Sequence, residues 1–275
     1  MRRAGVSRSK TVLLIGAGRM GGALLRGWIA AGIGPIEVVE PHPSPALKAL
    51  VRKSGVALHA DLSTAPARVR AVVIAIKPQL LRTEAVRLRG LAEAGALMLS
   101  IAAGTSIKAM TKAWGRNARI VRTMPNTPGS IGRGIAALFA APKATDKDRA
   151  LAEALLAALG KTVWVKREAL VDAATAVSGS GPAYVFYLVE ALAEAGVAAG
   201  LPREVAQALA RATITGAGAL LDADQRPAAE LRRDVTSPGG TTEAALKVLM
   251  ADAGLRALMT RAVAAANARA KELSS

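Results

Sequence analysis

The stretch from Thr11 to Gly22 constrains the fold more than any other, because an uncharged apolar run leads directly into closely spaced glycines. Such a run is typical of a buried parallel strand, and Gly16, Gly18 and Gly21 have the G-x-G-x-x-G spacing that precedes a helix. Gly16 permits a tight turn, Gly18 lets the backbone approach a pyrophosphate, and Gly21 lets the helix pack against its strand. The pattern predicts a dinucleotide-binding unit, with an ordinary glycine-rich turn as the alternative.

Further apolar runs predict more strands of one doubly wound α/β sheet, separated by helices or turns. After the first strand they cover Ile36–Glu40, Val56–His59, Ala71–Ile76, Leu97–Gly104, Arg119–Met124, Ile135–Ala140 and Lys161–Val165. Helices are expected over Pro45–Lys53, after a cap at Thr105 or Ser106, and over Asp146–Leu159 after a cap at Thr145.

Beyond Glu168 the apolar period is helical, which predicts an all-α region over 169–177, 183–199, 203–221, 242–251 and 255–271. The helix 183–199 has charge only at Glu190 and Glu194, and its apolar surface is too extensive for an exposed helix. A second subunit is the simplest cover, so we expect an obligate dimer. The predicted division is a flexible extension over 1–10, a dinucleotide-binding domain over 11–167 and a helical domain over 168–275.

Composition excludes several classes of protein. The net charge of +17 would suit a nucleic-acid-binding protein, but the basic residues are scattered and only 3% of residues are aromatic. The chain has no cysteine, which fits a reducing compartment, and His42 and His59 alone cannot build a histidine-rich metal site. The longest uncharged stretch, Ala173–Val189, is interrupted by glycine and proline. We therefore expect a soluble, cytoplasmic protein that binds no metal, nucleic acid or membrane.

Two charged residues follow predicted strands at the edge where such sheets bind ligands. Glu40 lies 24 residues after Gly16 (40 − 16), near the spacing of about 20 at which an acidic residue binds the adenine-side ribose. A carboxylate there favours NAD(H), and a glutamate that only faces water is the equal alternative. Lys77 follows the strand 71–76 and is placed to meet a cofactor phosphate or ribose, with a solvated loop lysine as the alternative.

Two breaks rich in glycine and serine, 178–182 and 236–242, each precede a predicted helix. In the second break, Pro238 and the paired glycines leave the N–H groups of Gly240, Thr241 and Thr242 free to bind an anion such as a substrate carboxylate. The Thr242 hydroxyl can meet a substrate nitrogen, and simple helix capping is the alternative. Because no histidine or lysine lies in these breaks, the site suits a protonated imine better than a carbonyl that needs a proton donor.

The segments 15–21, 75–78, 100–104, 124–128, 178–184 and 231–249 resemble those of pyrroline-5-carboxylate reductases, and the last looks like that family's signature. The resemblance runs from Val12 to the last helix. It implies a Rossmann-like domain with a C-terminal all-α dimerisation domain, and reduction of 1-pyrroline-5-carboxylate to L-proline by NADP(H) or NAD(H), the last step of proline biosynthesis. It also implies homodimers that can assemble into rings.

The resemblance implies roles for individual residues. Those implied to contact the dinucleotide are Gly16, Gly18, Arg19, Met20, Lys77, Pro78, Ala102 and Ala103. Asn126 is implied to face the nicotinamide and substrate, and Glu168 to line the site. The residues implied to hold the substrate carboxylate and ring nitrogen are Ser237, Gly240, Thr241 and Thr242, with Thr242 as the catalytic residue.

Some positions depart from the family pattern. Where this chain has Glu40, many relatives have a small hydroxyl residue, which is suited to a 2′-phosphate. Near Arg226, many relatives have an acidic residue followed by His-Pro, which this chain lacks. A β-hydroxyacid dehydrogenase is a second interpretation, but that family's catalytic lysine falls at Val185 here. A dinucleotide-binding redox sensor without catalysis is a third, and it would have no need of an anion-binding turn at 237–242.

Overall fold

A computed structural model describes residues 10–274 of the chain, so the extension predicted for residues 1–10 lies outside the described residues apart from Lys10. These residues form two compact units. The first contains the described residues up to Gly179 together with those from Asn267 onward, and the second contains Ser180–Ala266. Within residues 10–274, no helix is both long enough and apolar enough to cross a bilayer.

One eight-stranded sheet forms the centre of the first unit. Its strands are β1 (Val12–Ile15), β2 (Ile36–Val39), β3 (Ala57–His59), β4 (Ala71–Ile74), β5 (Leu97–Ser100), β6 (Arg119–Met124), β7 (Gly134–Ala140) and β8 (Gly160–Trp164). The order is β3-β2-β1-β4-β5-β6-β7-β8, and the first six strands are parallel, which confirms the doubly wound Rossmann-like arrangement. The antiparallel pairing of β7 with β6 was not predicted.

Helices flank the sheet in the first unit: α1 (Arg19–Ala30), α2 (Pro45–Ser54), α3 (Pro78–Glu84), α4 (Arg89–Glu93), α5 (Ile107–Trp114), α6 (Asp146–Leu156) and α7 (Ala169–Ala174). Two apolar clusters form the core, each with a fully buried tryptophan. The Trp28 indole donates to the carbonyl of Leu155 at 2.7 Å, and that of Trp114 to the carbonyl of Ala85 at 2.8 Å. Both large rings are therefore buried without an unpaired N–H.

Hydroxyl side chains cap the starts of α5 and α6, the two helices for which the sequence predicts a serine or threonine cap. Thr145 and Asp148 form a reciprocal capping box at α6, as expected for a threonine three residues before an acidic residue. Of the two candidates before α5, the cap is Ser106, whose Oγ accepts from the N–H of Ala109, while Thr105 is buried. The predicted strand to Gly104 ends at Ser100, whose Oγ accepts the N–H of Ala102 in a local turn, and Gly104 adopts φ +62° in the loop that follows.

The second unit is entirely helical, as predicted. It contains α8 (Gly181–Ala198), α9 (Arg203–Ala223), α10 (Ala228–Asp234), α11 (Thr241–Leu249) and most of α12 (Leu255–Ser274). Of the α8 residues only Ala193 is buried, whereas Phe186 is 63% and Tyr187 70% exposed. Apolar surface of this extent on one helix is typical of an interface with another chain.

Candidate active site

The three glycines of the turn between β1 and α1 are not equivalent in their surroundings. Gly16 has φ +89°, and a Cβ there would lie 2.8 Å from Cγ2 of Ile76. A Cβ on Gly21 would lie 2.1 Å from the carbonyl oxygen of Gly16, so only glycine lets the helix approach the turn. A Cβ on Gly18 would meet nothing within 4 Å. Gly16 and Gly21 are thus required by packing, and Gly18 borders open space where a ligand can approach.

Helix α1 begins at Arg19 without a side-chain cap, because its N-cap is Gly18. The N–H groups of the first helical residues have no partner within the helix, and the dipole places partial positive charge at the same point. The first turn has no acidic residue. This helix start, which includes Arg19 and Met20, therefore has the chemistry of a phosphate-binding site.

A cavity of about 540 Å³ adjoins the turn. Four of the residues predicted to bind the dinucleotide line it together: Gly16, Gly18, Glu40 and Lys77. Pro78 begins α3 directly after Lys77, while Ala102 and Ala103 follow the end of β5. The cavity thus lies at the carboxyl end of the parallel strands, where doubly wound sheets bind ligands.

Asn126 begins the loop after β6 with its amide orientation set by the protein. Its Oδ1 accepts the N–H of Ile135 at 3.0 Å, which leaves the amide NH₂ as the donating end. The same loop packs against α1, where a Cβ on Gly129 would lie 3.3 Å from Cε of Met20. The structure therefore places the Asn126 loop beside the start of α1.

Glu168 is part of a buried ion-pair network. Its Oε1 accepts the N–H of Ile107 at 2.7 Å and pairs with Arg122 at 2.8 Å, and Arg122 is only 3% exposed. The other arm of Arg122 pairs with Asp172 at 2.6 Å, and Asp172 accepts the hydroxyl of Ser274. Removing one partner of such a network commonly costs about 3–5 kcal/mol, since a buried charge is left unpaired. Contact of Glu168 with substrate stays a prediction, and its observed partners are protein groups.

The turn before α11 uses one of the three N–H groups predicted to be free. Gly240 donates to the carbonyl of Ser237 at 3.1 Å, closing a turn in which Pro238 is followed by Gly239 at φ +68°. The prediction that the Gly240 N–H is free was therefore wrong, because the i to i+3 bond of this turn was not considered. Of these three residues, Thr241 and Thr242 keep N–H groups without a partner in the turn or the helix.

Helix α11 resembles α1 at its start, since its N-cap is Gly240 and no side chain caps it. Thr242 is half-buried, and Thr241 and Ser237 are exposed. A Cβ on Gly240 would lie 2.7 Å from Oγ of Ser237, which shows how closely that hydroxyl approaches the helix start. Two amides and two nearby hydroxyls, of Ser237 and Thr242, thus form a small polar concentration suited to a carboxylate.

Sequence reasoning missed the polar contacts within this turn and ahead of it. Glu243 accepts the N–H of Gly239 at 2.5 Å, and its position three residues after the N-cap is the spacing of a capping box, a signal that was available. Arg226 bonds to Asp224 and, at 2.9 Å, to Asp234 at the end of α10. Hydrogen bonds from Arg226 hold the pKa of the Asp224 carboxyl below its usual value. No local pattern connects Arg226 to Asp234.

Among residues 10–274, no group of three or more histidine, aspartate or glutamate side chains could hold a metal ion. The sheet order, the uncapped glycine-rich turn and the cavity beside it define a Rossmann-like protein of the dinucleotide-binding class with an added helical region.

Comparison with known proteins agrees with that class. A family model described as NADP oxidoreductase coenzyme F420-dependent matches residues 11–104, and one described as pyrroline-5-carboxylate reductase dimerisation matches residues 168–273. A pyrroline-5-carboxylate reductase of Pisum sativum is 36% identical over 270 residues, with 98% of each chain covered. The chain belongs to the pyrroline-5-carboxylate reductase family.

Solved structures extend the similarity to the whole fold. A pyrroline-5-carboxylate reductase from Coxiella burnetii has a TM-score of 0.90 at 38% identity, and the match covers 98% of this chain and 100% of that one. A Plasmodium falciparum pyrroline carboxylate reductase, solved with NADP bound, has a TM-score of 0.80 at 26% identity, with 98% and 99% covered.

Proposed function

We propose that this chain reduces 1-pyrroline-5-carboxylate to L-proline with a hydride from NADH or NADPH, the last step of proline biosynthesis. The observation that carries the proposal is a full-length similarity to reductases of this name, in a chain whose two glycine-rich turns both lead into uncapped helix starts. Each turn offers the chemistry that one of the two anionic ligands needs.

The residues of the first unit fit a dinucleotide. The open space beside Gly18 admits a pyrophosphate that a side chain would exclude, and the start of α1 at Arg19 and Met20 offers unpaired amides to it. We assign Lys77 and Pro78 to contacts along the cofactor, with Ala102 and Ala103 as small residues that let a flat ring approach the backbone. The NH₂ of Asn126 is a donor for the nicotinamide and substrate region. When bound, the reduced nicotinamide supplies the hydride.

The residues around α11 are proposed to hold the substrate. The amides of Thr241 and Thr242 bind the substrate carboxylate, aided by the dipole of α11 and by Ser237, while the Thr242 hydroxyl meets the ring nitrogen. Gly240 contributes as the residue without a side chain at the N-cap. Glu168 is kept as a proposed lining residue that acts through its pairing with Arg122.

The chemistry asks little acid–base catalysis of the protein. The carbon of a protonated imine accepts the hydride, the π electron pair of the C=N bond moves to nitrogen, and nitrogen keeps its proton as the amine of proline. The protein therefore needs mainly to position the substrate and to complement its charge, which binding groups at fixed backbone positions can do.

We further propose a homodimer, supported by the family model of dimerisation over 168–273 and by the exposed apolar surface of α8. We also propose that the functional helical domain starts at residue 168. Assembly of dimers into rings is part of the same proposal. A cytoplasmic location is proposed as well, and a sequence without cysteine is compatible with that reducing compartment.

The test is steady-state oxidation of NADH and of NADPH with 1-pyrroline-5-carboxylate, using wild type and Thr242→Ala. Loss of the hydroxyl should lower kcat/KM by about 100-fold, the cost of removing one well-placed hydrogen-bonding group, while nucleotide dissociation constants stay unchanged. Thr242→Ser should restore most of the rate, and Thr260→Ala is the matched control, because its hydroxyl bonds only within α12. A wild-type protein without turnover would refute the function; an unchanged kcat/KM in Thr242→Ala would remove only Thr242.

A further inference from the structure

The carboxylate of Glu40 is fixed at the end of β2, beside the glycine-rich turn. Its Oε2 accepts the N–H of Ala17 at 2.8 Å, and its Oε1 accepts the N–H of His42 at 3.1 Å. Each carboxylate oxygen keeps a lone pair for another donor. Two backbone groups thus hold one negative charge at a defined point in the lining of the cavity.

The cations near this point differ in how far they are already engaged. Arg87 also lines the cavity, but one arm of its guanidinium pairs with Asp61 at 2.6 Å and the other with Glu84 at 2.7 Å. The N–H of Ser63 and the Arg87 guanidinium hold the pKa of Asp61 well below its usual range, so that carboxylate stays charged. A new anion would have to compete with two carboxylates for Arg87, which leaves Lys77 as its other cationic neighbour in the cavity lining, together with the imidazole of His42.

The adenine-side ribose of a dinucleotide lies at the end of the second strand in folds of this kind. Its 2′-hydroxyl can donate to the free lone pair of Glu40, as the acidic residue of NAD-binding proteins requires. A 2′-phosphate is mostly doubly ionised at neutral pH, so it is a poor donor to that carboxylate and adds close to two negative charges beside it. Since Glu40 is half-buried, bulk salt screens this repulsion less than it would at an exposed site.

Resting on the cofactor site of the proposed function, we propose that this chain selects NADH over NADPH and that Glu40 is the residue that discriminates between them. This preference for NADH is specific to this chain, because many relatives have a small hydroxyl residue where this chain has Glu40. Glu40 acts on the cofactor directly, by accepting the ribose 2′-hydroxyl and repelling a phosphate placed there.

Wild-type protein gives the first test without any substitution. Competition of 5′-ADP and of 2′,5′-ADP against bound NADH, followed by nicotinamide fluorescence without substrate, reports only on the adenosine end. We expect 5′-ADP to bind at least about tenfold more tightly, and NADH to exceed NADPH by a similar factor in direct titration. Equal or tighter binding of the 2′-phosphorylated ligands would overturn the proposal and would assign the phosphate to Lys77 and His42.

Substitution then tests the residue. Glu40→Gln removes the charge with little change in shape, and Glu40→Ser supplies the small hydroxyl of relatives; both should reduce the NADH preference to within about threefold or reverse it. Glu37→Gln is the matched control, because Glu37 lies on β2, the strand that leads to Glu40, pairs with His59 and is not part of the cavity lining. Thermal unfolding of each variant checks that the turn near Ala17 still folds.

The outcomes separate this proposal from the function on which it rests. If neither nucleotide binds, the cofactor site itself is wrong. If both bind equally, or if Glu40→Gln leaves the ratio of dissociation constants unchanged, the discrimination by Glu40 is wrong while the reductase assignment stands on its turnover assay. If Glu37→Gln changes the ratio as much as Glu40→Gln, the effect is one of overall charge and the proposal fails.

Discussion

The glycine-rich turn at 16–21 and the turn at 236–240 both lead into a helix whose N-cap is glycine, yet they are held in different ways. The first is fixed by residues that follow strands of the sheet. Gly16 lies against Ile76, two residues after the end of β4, and the N–H of Ala17 donates to the carboxylate of Glu40, the residue after β2. The second is fixed by its immediate neighbours, through the bonds of Gly240 to Ser237 and of Gly239 to Glu243. A turn built into a core should fail by unfolding, and a locally held turn by losing its ligand geometry.

The largest effect is expected for Gly21→Ala in the first turn. The new Cβ would lie 2.1 Å from the Gly16 carbonyl oxygen and 3.1 Å from Cβ of Ala75, so α1 must move away from the sheet. Overpacking of a core costs about 1–3 kcal/mol or more, and contact with rigid backbone puts this substitution at the upper end. Urea unfolding should therefore show a loss of about 3 kcal/mol.

Gly18→Val is the matched control within the same turn, because a Cβ at Gly18 meets no protein atom within 4 Å. Its free energy of unfolding should change by no more than about 1 kcal/mol, the scale of an altered helix cap. Its nucleotide dissociation constant should nevertheless rise steeply in a fluorescence titration. Equal destabilisation by the two substitutions would show that the sheet does not distinguish the packed glycine from the open one.

Gly239→Ala in the second turn should have an intermediate effect. Gly239 has φ +68° with open space around it, so alanine would pay about 1–2 kcal/mol of backbone strain or shift the turn. A shift of the turn would displace the N–H groups of Thr241 and Thr242. We therefore expect kcat/KM for 1-pyrroline-5-carboxylate to fall about tenfold, the effect of losing 1.4 kcal/mol of transition-state stabilisation, while nucleotide binding is retained.

Gly32→Ala controls for backbone strain alone. Gly32 has φ +66°, also in open space, between α1 and β2 and outside both turns. It should lower stability as much as Gly239→Ala and leave kcat/KM unchanged. A similar loss of kcat/KM in both variants would mean that the Gly239 effect is general destabilisation.

The smallest effect is expected for Arg226→Met, which removes the exposed link between Asp224 and Asp234 ahead of the second turn. Exposed ion pairs contribute little, so KM should rise by less than about threefold. The lowered pKa of Asp224 means that the pair is complete above the unfolded value near 3.9 and is lost as pH falls through the folded value. The difference in KM between wild type and variant should therefore persist at neutral pH and vanish only in acid. A KM difference that vanishes near pH 7 would contradict this.

Local sequence was sufficient for most elements of the fold. The strand of β6, the start of α6 at Asp146 and the helical character of the chain after Glu168 were all predicted and found. The short helices α3, α4 and α10 were missed, because five to seven residues carry too little periodicity to identify a helix. The antiparallel direction of β7 was missed as well, since periodicity gives a strand its faces and not its direction.

The sequence by itself determined the succession of strands and helices along the chain, the spacing of Gly16, Gly18 and Gly21, and the apolar surface of α8. These features follow from neighbouring residues and their period. Only the tertiary structure decided which polar groups remain available. It paired Glu168 with Arg122, 46 residues away, joined Glu40 to Ala17, and used the Gly240 N–H within its own turn. Hydrogen-bond partners depend on where the chain returns in space, and local patterns do not contain that information.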